Sequence, residues 1–130
     1  MVKEKGIAMK IEAKHFFNEN IIELVKQNSL YRKELITGSH SQVVLMCIPA
    51  GQDIGEEIHT VDQTFFFVEG RGQAVINGVV TDIFPNHLVF VPAKTHHNIK
   101  NNGQDNLALF TIYAPAQHKP GTIEKVKSEE

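Results

Sequence analysis

The sequence predicts an all-β domain, an antiparallel sandwich or barrel, with one short helix before it. From Tyr31 onward, short apolar segments alternate with turn signals about every eight to twelve residues, a spacing typical of such folds. No helix-length segment interrupts this series. Because parallel strands need long crossover connections, a parallel βαβ fold is excluded. At 130 residues the chain suffices for one compact domain and is too short for two of typical size.

The N-terminal part begins with charged residues of both signs. We expect residues 1–14 to be mobile, and Met9 is an alternative start that the sequence does not decide. In residues 16–25 the apolar side chains fall on one helical face, which predicts one short helix. Asn18 or Asn20 is expected to cap its N-terminus.

The strands are recognised as apolar runs that end at turn residues. Asn77-Gly78 is the strongest signal, because both positions of a tight hairpin need a positive φ. Pro49 and Pro92 end two further runs. The predicted strands are residues 43–48, 64–68, 73–76, 79–84, 88–91, 97–100 and 107–113. The expected organisation is an N-terminal extension with the helix (residues 1–30), a β domain (31–115) and a C-terminal tail (116–130).

Composition excludes several classes of function. The formal net charge is −2 and the basic residues are scattered, so we expect no nucleic-acid partner. No run approaches the roughly 18 apolar residues of a membrane helix, and the charged start argues against a secretory signal. The single cysteine, Cys47, cannot form an internal disulfide, which favours a cytoplasmic location. We expect Cys47 to be a small buried hydrophobe rather than a nucleophile.

Polar side chains interrupt the apolar pattern at Glu57, His59, Gln63 and His97. Glu57 and His59 are two residues apart, so both point to the same face of an extended strand. If the strands close into a barrel, all of these side chains can converge on one interior point. Two imidazoles, a carboxylate and an amide oxygen suit a divalent transition metal, and Fe, Mn, Ni and Zn are all compatible. Gln63 would be a weaker fourth ligand or a group that orients water or substrate.

The spacing of these residues resembles that of the cupins. The first cupin motif, G-x(5)-H-x-H-x(3,4)-E-x(6)-G, is similar to the run formed by Gly51, Glu57, His59, Gln63 and Gly70, with every spacing met. The second motif, G-x(5)-P-x-G-x(2)-H-x(3)-N, is similar to the run formed by Asn86, Pro92, Lys94, His97 and Asn101. The resemblance is to small single-domain cupins, often given names borrowed from mannose-6-phosphate isomerase, whose reaction is not settled.

The resemblance implies a double-stranded β-helix, or jelly roll, with a metal inside the barrel. Glu57 stands where most cupins have a His, and Gln63 where they have the acidic ligand. The carboxylate has therefore moved across the site and the charge of the ligand set is retained, from which we expect metal binding to survive. Asn86 and Lys94 replace turn glycines. Asn tolerates the left-handed conformation, whereas Lys94 suggests a looser turn.

Other residues have less specific signals. His40, Tyr113 and His118 are the candidates for a catalytic proton transfer, His40 at a strand start and the other two where the last strand leaves the barrel. His96 is expected on the surface, since it points away from the face of His97. Aromatic side chains are expected to line the pocket: Phe65, Phe67 and Phe90.

These observations leave several functions open. The first is a metal-dependent enzyme acting on a small oxygen-bearing substrate by sugar isomerisation or epimerisation, dehydration, or oxygen-dependent cleavage as a dioxygenase. The alternative is a non-catalytic cupin that binds a metal and a small ligand for sensing or storage. A structural jelly roll without metal is a third. Because residues 65–67 are consecutive phenylalanines, both faces of their strand must be covered. We expect a homodimer that buries one side, and the alternative is that the N-terminal helix covers it.

Overall fold

The computed structural model describes residues 16–128. The expectation of a mobile start over residues 1–14 and the alternative start at Met9 lie outside the described residues. Helix α1 spans Ile21–Gln27. It begins later than predicted, because Asn20 is extended and its side chain accepts a hydrogen bond from the Glu23 backbone N–H at 3.1 Å. Of the two cap candidates, Asn20 is therefore the N-cap, and Phe16 lies before the helix.

Nine strands follow within the described residues. Their bounds are β1 Arg32–Thr37, β2 Gln42–Ile48, β3 Asp62–Glu69, β4 Gly72–Ile76, β5 Val79–Ile83, β6 Leu88–Val91, β7 His97–Lys100, β8 Leu107–Ala114 and β9 Ile123–Glu124. All named pairs are antiparallel. A six-stranded sheet has the order β9-β1-β2-β8-β3-β6 and a three-stranded sheet the order β5-β4-β7. The all-β prediction is confirmed, and β1 and β9 are strands that the sequence did not reveal.

The main core lies between the two sheets. On one side of this core lie Phe65 and Phe67 of β3. On the other lie Ala74 of β4 and Ile99 of β7, both in the three-stranded sheet, and all of these side chains are fully buried. Phe66, between them in sequence, points to the opposite face, where it stacks on Phe110 with ring centroids 5.4 Å apart. Helix α1 packs on that face through Val25, so the helix covers the outer side of β3.

Phe90 does not line the barrel interior, contrary to the prediction. In the β3–β6 ladder Val91 opposes the buried Gln63, whereas Phe90 opposes Thr64. Opposed residues share a face, so Phe90 lies on the outer face, where it is 52% exposed. The prediction was wrong because alternation along one short strand does not tell which of its two faces is the inner one.

The C-terminal segment differs from the expected tail. Strand β9 pairs with β1, and the Glu34 and Tyr31 backbone N–H groups donate to carbonyls of this segment. The buried side chain of Gln42 fastens it further, since its Oε1 accepts from the backbone N–H of both Gln117 and His118, and its Nε2 donates to the His118 carbonyl at 2.7 Å. Residues 117–127 are thereby held against the barrel.

Two motif positions adopt the left-handed conformation that glycine occupies in the related motif. Asn86 has φ 74° and Lys94 has φ 66°. The Lys94 N–H donates to the His59 carbonyl at 2.6 Å, so this turn is fixed to the segment that carries His59. Gly70, at φ 92°, cannot be replaced in the same way, since a Cβ there would collide with the Asn106 carbonyl oxygen. No helix among the described residues is long and apolar enough to cross a membrane.

Candidate metal centre

A short irregular segment beside β7 places the first candidate ligand. Glu57 pairs with His97 as an isolated antiparallel bridge, in which each residue's N–H donates to the other's carbonyl, at 2.8 and 2.9 Å. Residues opposed in this way present their side chains on the same face. Asn98 holds the segment, because its Oδ1 accepts from the Gly55 N–H and its Nδ2 donates to Asp53.

Three of the candidate ligands lie together at this face. Glu57, His59 and His97 each offer a ligand atom, and these atoms all lie within 4.8 Å of one another. His59 Nε2 is 3.0 Å from Glu57 Oε1, and His97 Nε2 is 3.8 Å from the same oxygen. The Glu57 side chain is 29% exposed, whereas that of His97 is only 1% exposed. The cluster is thus open to solvent on the Glu57 side and closed on the His97 side.

The tautomer of His97 follows from its surroundings. Its Nδ1 lies 2.9 Å from the Thr95 carbonyl, which can only accept, so Nδ1 carries a proton and, in the neutral imidazole, Nε2 is the acceptor. That Nε2 is buried and has no hydrogen-bond partner among the described residues. A buried acceptor without a partner is costly, and a cation among the three ligand atoms would satisfy it.

Gln63 presents a second such acceptor. Its Nε2 donates to Thr111 Oγ1 at 3.0 Å, and Thr111 Oγ1 in turn donates to the Thr64 carbonyl at 2.9 Å. This chain fixes the orientation of the amide and leaves Oε1 buried with no partner in the described structure. The donor set of two imidazoles, one carboxylate and one amide oxygen therefore fits a divalent transition metal.

The charge state of Glu57 also favours metal binding. Burial alone raises the pKa of this carboxyl, but the hydrogen bond from His59 and the nearby positive charges outweigh it. The pKa of Glu57 therefore lies below its ordinary value, and the side chain is a carboxylate at neutral pH.

Two of the three candidates for proton transfer lie beside this cluster. Tyr113 is buried, and its ring is 6.0 Å from that of His59 in an edge-on contact. Its hydroxyl is 3.3 Å from His118 Nε2. Burial raises the pKa of Tyr113 and lowers the pKa of His118, so both are neutral at pH 7.

The remaining candidate for proton transfer, His40, is not part of this cluster. His40 is exposed in the turn between β1 and β2, closed by a Gly38 N–H to Ser41 carbonyl bond, and it makes no contact with the metal-ligand cluster among the described residues. Gln42, two residues further on, is buried and fastens the C-terminal segment. His96 is exposed, as predicted, 3.4 Å from Glu56.

Sequence reasoning missed two residues that shape the site. Arg32, at the start of β1, is buried near Glu57, yet one arginine at the start of a strand gives no signal by itself. Asn101 stood in the motif without a role. Its Nδ2 donates to the Ile48 and Asp105 carbonyls and its Oδ1 accepts from Gly103, so it fixes the end of β7.

Comparison with known proteins gives consistent matches. The family model described as "Cupin domain" matches residues 44–113, which include all the candidate metal ligands. The uncharacterized protein YrkC of Bacillus subtilis is 35% identical over 98% of this chain and 72% of its own length. The uncharacterized protein L612 of Acanthamoeba polyphaga mimivirus is 34% identical, over 81% and 69% respectively. The crystal structure of BH2720 from Bacillus halodurans has a TM-score of 0.82 at 40% identity, covering 84% of this chain and 88% of that chain.

Proposed function

This chain belongs to the cupin family, and from that membership we propose that it binds a divalent transition metal and uses it on a small oxygen-bearing molecule. The observation that carries the proposal is that the cluster of Glu57, His59 and His97 contains a buried acceptor without a partner among the described residues, His97 Nε2, and that Gln63 Oε1 is a second buried acceptor of this kind. A structural role alone gives no reason to leave two acceptors unsatisfied in a core.

Glu57, His59 and His97 would hold the metal, with Gln63 as fourth ligand or as the group that orients water or substrate. When bound, a divalent cation there supplies Lewis-acid polarisation of a carbonyl or of two vicinal oxygens. Phe65, whose ring centroid is 6.1 Å from that of His97, closes the inner side of the site with Phe67 stacked on it at 5.9 Å. These rings exclude water from the ligands' inner side.

Tyr113 and His118 would move the proton. The neutral Tyr113 hydroxyl can donate to an oxygen of the substrate, and the neutral His118 can accept a proton through its Nε2. His40 is left out of this proposal because its side chain is exposed and makes no contact with the candidate ligands among the described residues. An isomerase or epimerase needs such a proton-transferring pair, so the pair favours that reaction over dioxygenase chemistry. A cytoplasmic location, argued from Cys47, stays a prediction.

The first experiment measures metal content. Untagged protein is reconstituted with Fe, Mn, Ni or Zn, and the bound metal is determined by elemental analysis. We expect about one ion per chain in the wild type, a large loss in His97→Gln and in Glu57→Gln, and full retention in His96→Gln, which removes the adjacent exposed histidine. Glu57 is partly exposed, so its variant remains informative if the buried His97→Gln does not fold. Wild-type protein that takes up no metal and shows no rise in melting temperature with metal contradicts the proposal.

The second experiment separates turnover from binding. The metal-loaded protein is incubated in D2O with a panel of sugar phosphates and hydroxy acids, and deuterium incorporation is followed by NMR, with oxygen uptake measured in parallel. We expect incorporation that falls about 100-fold or more in Tyr113→Phe at unchanged metal content. Oxygen uptake instead of exchange identifies a dioxygenase. Ligand binding with neither reaction supports the non-catalytic alternative.

A further inference from the structure

Arg32 is a buried cation beside the candidate metal centre. It opposes Met46 across the β1–β2 ladder, and Met46 belongs to the main core, so the Arg32 side chain lies on the inner face of the sheet. The residue is only 9% exposed. A guanidinium in such a position is costly unless its donors are used.

The guanidinium has more donors than the residues of the described range use. Arg32 Nη1 donates to Glu124 Oε1 at 2.5 Å, while Nε has no hydrogen-bond partner among the described residues. Arginine carries five N–H donors in a planar fork that matches carboxylate and phosphate groups. One contact from one nitrogen to Glu124 therefore leaves capacity for a second oxyanion.

One cavity is lined by both this arginine and Glu57 of the candidate cluster. It measures about 270 Å3 and is lined by Tyr31, Arg32, Ile54, Glu57, Lys127 and Ser128. Glu57 belongs to the candidate ligand set, so a small molecule in this cavity would contact both Arg32 and one of the candidate ligands. Lys127, the other cation of the wall, is paired with Asp53 at 2.8 Å.

The charges around the cavity favour an anion once a metal is bound. The Arg32–Glu124 and Lys127–Asp53 pairs are each neutral, and the two imidazole ligands are uncharged when they bind a metal. Glu57 cancels half the charge of a divalent cation. One positive charge remains, which an anionic ligand would neutralise in a partly buried site.

We propose that Arg32 is the anion-binding residue of this site, and that the substrate carries a carboxylate or phosphate group beside the oxygen that reaches the metal. The inference rests on the proposed function and names its substrate class. Glu124, brought in by β9, occupies part of the guanidinium in the free protein and competes with the incoming oxyanion for it.

The test measures anion binding to metal-loaded protein by calorimetry, with oxalate, malonate and inorganic phosphate as probes and malonamide as the neutral counterpart. We expect Arg32→Gln to weaken binding of at least one anion by about 10- to 100-fold, the range of one hydrogen-bonded charge, at unchanged metal content. Binding of malonamide is expected to be unaffected. Preference for dicarboxylates or for phosphate then identifies which oxyanion the site takes.

Matched variants separate this role from a structural one. Lys33→Gln removes the same charge from the next residue of β1, which faces the other side of the sheet, and is expected to leave anion affinity unchanged. Glu124→Gln frees the guanidinium and is expected to tighten anion binding. This variant therefore tests the role of Arg32 even if Arg32→Gln does not fold. Equal anion affinity in wild type, Arg32→Gln and Glu124→Gln, at full metal content, overturns the inference and leaves the proposed function standing. Wild-type protein that takes up no metal overturns both this inference and the proposed function.

Discussion

At the scale of single residues, the site depends on which atoms are left without partners. His96 and His97 are adjacent, yet one is exposed and the other is 1% exposed in its side chain. The Thr95 carbonyl fixes the proton of His97 on Nδ1, and Thr111 fixes the amide of Gln63. Neither orienting residue is a ligand. Both decide which atom of the candidate ligand is left without a hydrogen bond.

The His118 side chain gives a prediction about pH. Burial, with the charge of Arg32, lowers the pKa of His118 in the folded protein. As the pH falls below about 6.5, the ordinary value for histidine, the unfolded chain takes up a proton that the folded chain resists, so folding stability decreases. We expect His118→Gln to flatten the fall of melting temperature between about pH 6.5 and pH 5. His40→Gln, which removes an exposed histidine, serves as the control, and an unchanged slope in His118→Gln contradicts the assignment.

At the scale of elements, irregular backbone places two of the candidate ligands, Glu57 and His59, while strands place His97 and Gln63. Glu57 and His59 were expected on an extended strand, but Glu57 forms a single bridge and His59 lies in a loop. Asn98 and the left-handed Lys94 hold this loop through its backbone. The side chains nevertheless converge, because the bridge to His97 and the bond from Lys94 fix each end of the segment.

The N-cap of helix α1 provides a test at this scale. Asn20→Ala removes the side chain that accepts from Glu23, and we expect a loss of about 1 kcal/mol in the free energy of unfolding measured with urea. Asn18→Ala, at the other position that the sequence allowed, is expected to change stability by less than about 0.5 kcal/mol. Equal losses in the two variants would mean that the helix begins where the apolar pattern first placed it.

At the scale of the whole molecule, the outer faces decide what the barrel can bind. Helix α1 covers Phe66 and Phe110, so the phenylalanine run does not by itself require a second chain. Exposed apolar residues lie on β5, at Val79 and Val80, and on β6, where Leu88 is 62% and Phe90 is 52% exposed. Strand β6 is also an edge of the six-stranded sheet, and such edges pair readily with another chain.

We therefore keep the homodimer as a proposal and place its interface at β6. Sedimentation analysis is expected to give a dimer for the wild type and a monomer for the double variant Leu88→Lys, Phe90→Lys, since two charges at an apolar interface oppose association. Ile58→Lys changes another exposed apolar residue and should leave the dimer intact. A monomeric wild type at high protein concentration rules the proposal out.

The sequence by itself determined the all-β class, most strand positions and the set of candidate ligands. Apolar alternation and turn residues are local signals, and the motif spacings gave Glu57, His59, Gln63 and His97 without any coordinates. The family match over residues 44–113 confirms the family that those spacings resemble.

Only the tertiary structure decided which side of each strand is inner and what covers the site. In the structure Phe90 lies on the outer face, and part of the expected tail forms strand β9. Arg32 and His118 lie beside the candidate centre. Glu124 meets Arg32 across 92 positions of the chain. Pairing over such separations depends on how the sheets close, and because a strand has two faces of equal local geometry, no local pattern records that choice.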